Sequence, residues 1–126
     1  MQRRTKQRDV IKEIFKSSGR PLSPNEIFEL ARKSVNSLSL ATVYRYIKSL
    51  TAEKIIVPVS LPGLPDRYEL KETADSHHHH FHCQECGKVY DIPGCGLKIE
   101  NMLPKGFSIR SHEVVLYGDC SNCHVG

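Results

Sequence analysis

The chain has 126 residues, 39% of them hydrophobic, and a formal net charge of +4. That length suits one ordinary domain or two small ones. It holds no apolar run of about eighteen residues, and its charged start, MQRRTKQRD, leads into no apolar stretch. A membrane span and an export signal are therefore excluded as readings, and a soluble, cytoplasmic protein is expected.

The charge is unevenly distributed. Residues 1–76 carry 14 Lys and Arg against 9 Asp and Glu, a balance of +5, whereas residues 77–126 carry 4 against 5, or −1. All 7 histidines and all 5 cysteines lie in the second part. A basic half joined to a half rich in metal ligands suggests a division of labour. A solvated surface also explains +5, so charge alone does not establish a nucleic-acid partner.

Val10, Ile11, Ile14 and Phe15 stand at helical spacing, and Ser17-Ser18-Gly19 ends that run. Next comes Ser23-Pro24-Asn25-Glu26, which combines an N-cap, a first-turn proline and a capping-box glutamate ahead of Ile27, Leu30 and Ala31. A third helix begins near SLATVYRYIKSL. Val43, Ile47 and Leu50 recur on one face of it, so Tyr44, Arg45 and Lys48 point away from the core. After it, IIVPV and RYEL flank SLPGLPD and read as a hairpin with a loose tip. Three helices and a hairpin make a winged helix. Its third helix offers Tyr44 and Arg45 near its start, where recognition helices meet DNA, and a plain solvated face is the competing reading.

In the second part, Cys83-x-x-Cys86 and Cys120-x-x-Cys123 are separated by 33 residues. Four thiolates form a closed tetrahedral set with no position left for a substrate, which points to a structural zinc tying the start of this half to its end. Gly87 and Gly118 lie near the turns such pairs need. A redox disulfide is the alternative, but the odd cysteine count and missing export signal favour reduced thiols. If residues 77–82 are extended, His78, His80 and His82 face one way and His77, His79 and Phe81 the other. One strand can then serve two metal sites, completed from Glu69, Asp91, Cys95 and His112. Histidine with carboxylate suits iron, manganese or zinc, and a thiolate favours zinc. The competing readings are a polar edge strand that binds metal adventitiously and an internal purification tag.

Taken together, LATVYRYIKSL, HHHHFHCQECGKVYD and HEVVLYGDCSNC resemble the ferric uptake regulator family of bacterial metal-responsive repressors, and TKQR resembles its Thr-Pro-Gln-Arg segment. The resemblance spans about Thr5 to Cys123. It implies an α+β chain: a winged-helix DNA-binding domain (1–71), a hinge (72–76), and a small α/β metal-binding dimerisation domain (77–126). Two copies would read a two-fold symmetric, A·T-rich double-stranded operator. It also implies DNA contacts at Tyr44 and Arg45, to which Thr42, Lys48 and Arg8 are added. Structural zinc ligands are implied at Cys83, Cys86, Cys120 and Cys123. A hinge sensing site is implied at Glu69, His78, His80 and Asp91, and a second site at His77, His79, Cys95 and His112.

Three departures from the family pattern stand out. Arg20-Pro21-Leu22 occupies the stretch where the family usually supplies one more sensing histidine, which counts against peroxide sensing. The chain starts close to TKQR, without the family's first helix. His79 and Cys95 replace acids at the second site and shift it toward zinc. The expectation is a metal-dependent repressor of metal-homeostasis genes, with a structural Zn2+ and a second regulatory ion, Zn2+ or Fe2+/Mn2+. The alternatives are an iron-, manganese- or peroxide-responsive member and a constitutive DNA-binding protein holding only structural zinc. Catalysis is not expected, nor any small-molecule substrate beyond the metal ion. A zinc deaminase needs a ligand-plus-acid pair ahead of Pro-Cys-x-x-Cys, and His82 precedes Cys83 here. A metal store would not need the Tyr-Arg helix.

Overall fold

A computed structural model describes residues 2–75, 78–94 and 99–123, with side chains from residue 6 onward. The chain forms two compact units, residues 1–76 and 77–126. In the first, helices α1 (Gln2–Ser18), α2 (Pro24–Arg32) and α3 (Leu40–Ala52) precede an antiparallel hairpin of β1 (Ile56–Val59) and β2 (Arg67–Leu70). Residues read from the sequence as the hinge lie partly in a short helical turn, α4 (Lys71–Ala74).

Local chemistry explains these boundaries. Gly19, at φ +61°, lets the chain leave α1 in the left-handed region that glycine tolerates. Ser23 then caps α2: its hydroxyl accepts from the Glu26 N–H at 3.2 Å, and the Glu26 carboxylate accepts from the Ser23 N–H at 3.0 Å. Arg20 reaches the other oxygen of that carboxylate at 2.6 Å, so one glutamate both caps the helix and pairs with the turn before it. At α3, Ser39 accepts from the Thr42 N–H at 3.1 Å.

The apolar faces of the helices meet in one core of Ile11, Phe15, Leu22, Ile27, Ala31, Leu38, Val43, Ile47, Leu50 and Ile56. The wing is fastened to it by two backbone hydrogen bonds between Leu22 and Tyr68, of 2.8 and 2.9 Å. The first unit is thus a winged helix whose α3 buries the Val43–Ile47–Leu50 stripe and exposes Tyr44, Arg45 and Lys48.

The second unit is a three-stranded sheet in the order β4-β3-β5, with β3 (His78–Cys83), β4 (Val89–Pro93) and β5 (Val115–Gly118). Strand β3 pairs antiparallel with β4 and parallel with β5. Helical structure here, among the described residues, is a 3-10 turn at Ile99–Met102. The buried apolar side chains described in this unit are Val89 and the thiols Cys83 and Cys120. No described helix is long and apolar enough to cross a membrane.

Candidate metal centres

The four thiols of the Cys-x-x-Cys pairs converge although the pairs lie far apart in sequence. Cys83 ends β3, and the turn after it is closed by the Cys83 N–H to the Lys88 carbonyl (3.0 Å) and the Gly87 N–H to the Cys83 carbonyl (2.9 Å). Gly87 has φ +78°, the conformation this tight reversal requires. The second pair follows β5, where the Cys123 N–H reaches the Cys120 carbonyl at 2.9 Å. A hydrogen bond of 2.7 Å from the Gln84 N–H to the Gly118 carbonyl joins the two turns. All four Sγ atoms lie within 4.8 Å of one another. Gly118 ends β5, and a Cβ there would meet the Phe81 ring at 3.4 Å, an ordinary contact.

The surroundings divide these sulfurs: Cys83 and Cys120 are drawn toward the thiolate, whereas the thiols of Cys86 and Cys123 are raised. Cys83 Sγ accepts backbone N–H bonds from Cys86 and Cys120, each at 3.4 Å. Those two donors pull its thiol down to about 6, from an ordinary 9.0. The Tyr90 hydroxyl donates to Cys120 and lowers that thiol as well. Cys123 is pushed up to about 12, first by its hydrogen bond with Cys120 and then by burial. A divalent ion held by the four sulfurs would favour the thiolate form of each, and the all-sulfur donor set fits zinc.

On β3 the side chains alternate. His78 and His80 project to one face, where Asp91, the cross-strand partner of His80, meets them. Asp91 Oδ1 lies 3.3 Å from the Nε2 atoms of both imidazoles. The two rings stand edge to face with centroids 5.0 Å apart. Two imidazoles and a carboxylate converging at this range form a cation-binding set of nitrogen and oxygen donors. Glu69, the fourth residue of the expected sensing site, lies on β2 of the first unit opposite Val57 and is 3% exposed.

The other face of β3 carries His79, which is buried and has its ring 5.0 Å from that of His112. The remaining two residues of the expected second site, His77 and Cys95, lie outside the described residues. His82 packs edge-on against Tyr117, with ring centroids 5.8 Å apart.

The candidate DNA face is on the first unit. Tyr44 is 52% exposed, and Arg45 and Lys48 are exposed beside it. Arg45 donates to Thr42 Oγ1 at 3.0 Å. Arg8 is engaged with Glu53, just past the end of α3, at 2.7 Å. The neighbouring Gln7 accepts from the Tyr46 hydroxyl at 3.2 Å. Gln7, Thr42, Arg45, Tyr46 and Ser49 line a groove between α1 and α3. Gln7, Ser39, Tyr46 and Tyr90 lie inside stretches quoted above, but the sequence reading gave none of them a role. Of these only Ser39 carries a local signal that could have found it, a serine standing just ahead of the apolar stripe of α3, where a cap is needed.

Comparison with known proteins agrees with this architecture. Residues 2–117 match the Ferric uptake regulator family. The ferric uptake regulation protein of Bacillus subtilis is 29% identical over 125 residues, covering 95% of this chain and 84% of that protein. The structure of the Helicobacter pylori ferric uptake regulator, which has three functional metal binding sites, superposes with a TM-score of 0.65. It is 29% identical and covers 94% of this chain and 79% of that one. A zinc-bound manganese uptake regulator gives a TM-score of 0.75 at 27% identity, with 90% and 87% covered. With a winged helix at one end, two clusters of metal-ligating side chains at the other and the family's pattern along nearly its whole length, the chain belongs to the ferric uptake regulator family of metal-responsive regulators.

Proposed function

We propose that the chain is a cytoplasmic, homodimeric repressor that binds an A·T-rich, two-fold symmetric operator when a divalent ion, zinc in preference, fills its sensing site. The observation that carries this reading is the triad of His78, His80 and Asp91, formed on a single sheet in a chain that also exposes Tyr44 and Arg45 on a recognition helix. Glu69 is the fourth ligand of that site. Its carboxylate is buried near the end of the wing, nine residues ahead of His78 in sequence. An ion held by Glu69 together with the triad cross-links wing and sheet and restricts the angle between the units. A tenfold shift toward the DNA-competent arrangement needs about 1.4 kcal/mol of differential binding.

The cysteine cluster holds a structural zinc, and His77, His79, Cys95 and His112 form a second site whose thiol favours zinc. Support for dimerisation comes from the second unit. Strand β5 is an edge strand, and Met102, Phe107, Ile109, Leu116 and Tyr117 are exposed on the same unit. An apolar surface and an unpaired strand edge suit association with a second copy.

One observation favours the rival reading, a constitutive DNA-binding protein. Pro21 is fully buried and its neighbour Arg20 is engaged with Glu26, so the turn before α2 offers no metal ligand. Selection of binding sites from a random duplex pool, with zinc, manganese or iron present or with chelator, separates the two. Recovery of a symmetric site only with metal, lost in Glu69→Ala, supports the sensing function. Equal recovery with chelator that leaves only the tightly held ion in place would establish the constitutive one.

A further inference from the structure

The N-terminal turn of α3 contains a chain of hydroxyl contacts that ends on Arg45. Ser39 Oγ accepts the Thr42 N–H at 3.1 Å and also lies 2.9 Å from Thr42 Oγ1. Thr42 Oγ1 in turn accepts from the Arg45 guanidinium at 3.0 Å. Arg45 is therefore drawn back along the helix toward its N-terminal end, the end a recognition helix turns to the base edges. Only one of its five N–H groups is used in this contact, so a fork of donors remains for guanine or phosphate oxygens.

We propose that Thr42 is a positioning residue. Its hydroxyl, braced by Ser39, fixes the guanidinium of Arg45 and so sets which base pair that arginine reads, without itself touching the bases. This differs from the DNA contact expected of Thr42 from the sequence, and it rests on the DNA-binding reading above. The physical basis is preorganisation. An exposed arginine has several free rotors, and ordering them on binding opposes affinity unless the free protein already holds the productive rotamer. The groove lined by Thr42, Arg45, Tyr46, Gln7 and Ser49 leaves room beside this rotamer, and the hydroxyl contact is the polar tie that favours it. Valine matches threonine in shape and removes the hydroxyl, and with it the contacts to Arg45 and Ser39. Serine restores it with a smaller side chain.

The test uses the full-length, metal-loaded protein and the operator recovered by selection. Affinity for that operator and for a scrambled duplex is measured across a salt series in wild type, Thr42→Val, Thr42→Ser and Arg45→Ala. The expected result is that Thr42→Val weakens operator binding about two- to tenfold, the range set by one hydrogen bond. Scrambled-duplex affinity and the salt slope stay unchanged, and Thr42→Ser recovers the loss. Arg45→Ala abolishes operator preference. If Arg45→Ala is impaired while Thr42→Val behaves as wild type, the positioning role is wrong and the DNA reading stands. If Thr42→Val weakens both duplexes equally, or serine fails to rescue, Thr42 is a backbone contact or a structural residue instead. If neither variant changes operator binding, the assignment of this face to DNA falls with the proposal.

Discussion

Removing the metal from the cysteine cluster should unfold the second unit and leave the first intact. The winged helix rests on a continuous core of ten buried side chains, from Ile11 to Ile56. The sheet of β3, β4 and β5 has a single described buried hydrocarbon side chain, Val89, and its other buried apolar groups are the thiols of Cys83 and Cys120. A core this small supplies at most about 3–5 kcal/mol even in a well-packed domain of such length. Binding of a structural zinc by four thiolates contributes about 10–16 kcal/mol near neutral pH. An ion bound there would thus outweigh the apolar burial described in this sheet, and in the reduced, metal-free chain the balance should tip to the unfolded side. Amide hydrogen exchange after treatment with a strong chelator and a thiol reductant reads this directly. Protection should vanish across β3, β4 and β5, remain in α1, α2 and α3, and return when zinc is restored. Undiminished protection of β3 in chain shown by mass to be metal-free and reduced would refute the reasoning.

Three further outcomes are expected. Asp91→Asn should weaken the exchangeable ion by at least about tenfold, the least that losing even an outer-sphere partner costs, and competition with a chromophoric chelator measures it. Tyr90→Phe keeps the ring and removes only the hydroxyl that donates to Cys120, so zinc should pass to a competing chelator about tenfold faster, and an unchanged rate would show that this hydroxyl is idle. Glu53 is held below its ordinary 4.5 by the hydrogen bond from Arg8 and then by that from Ser49. A carboxyl depressed in the folded state stabilises above its unfolded pKa and loses that effect as pH falls through the folded value. The melting difference between wild type and Glu53→Gln should therefore be present near neutrality and disappear in acid. Persistence of the difference in acid would contradict an ionic tie to α1.

What could be read in the sequence was what is local. The Val43–Ile47–Leu50 stripe, the Ser23–Glu26 capping box and the strand alternation of His78, His79 and His80 each repeat within a few residues, and the fold has the helices and strands those patterns predict. Contacts across long stretches of chain left no such trace. Arg8 meets Glu53 across 45 positions and Tyr46 meets Gln7 across 39, and nothing near either residue signals its partner. The parallel pairing of β3 with β5 was equally hidden, because local hydropathy shows that a segment is a strand but not which strand it joins. Tyr90 illustrates the same limit at a candidate site. The cysteine spacing names the sulfurs, whereas the donors that stabilise them are set by how the strands fold together.

The strand β3 links the two clusters mechanically. A strand repeats its faces every two residues, so a shift of one residue would put His79 where His78 or His80 now stands and turn those two imidazoles away from Asp91. A strand rich in identical histidines has little side-chain information with which to reject such a slip. Cys83, three residues beyond His80 on the same strand, provides what the histidines lack. Its sulfur can join Cys86, Cys120 and Cys123 in only one register, and its backbone is fixed to Lys88 on the way into β4. The neighbouring turn is tied through Gln84 to Gly118 at the end of β5. The cysteine cluster therefore sets the register of β3 against both of its neighbours, and with it the approach of His78 and His80 to Asp91. On this argument the two clusters cannot be separated in function: a chain whose sulfurs are oxidised or stripped would lose its histidine site without any change to the histidines themselves.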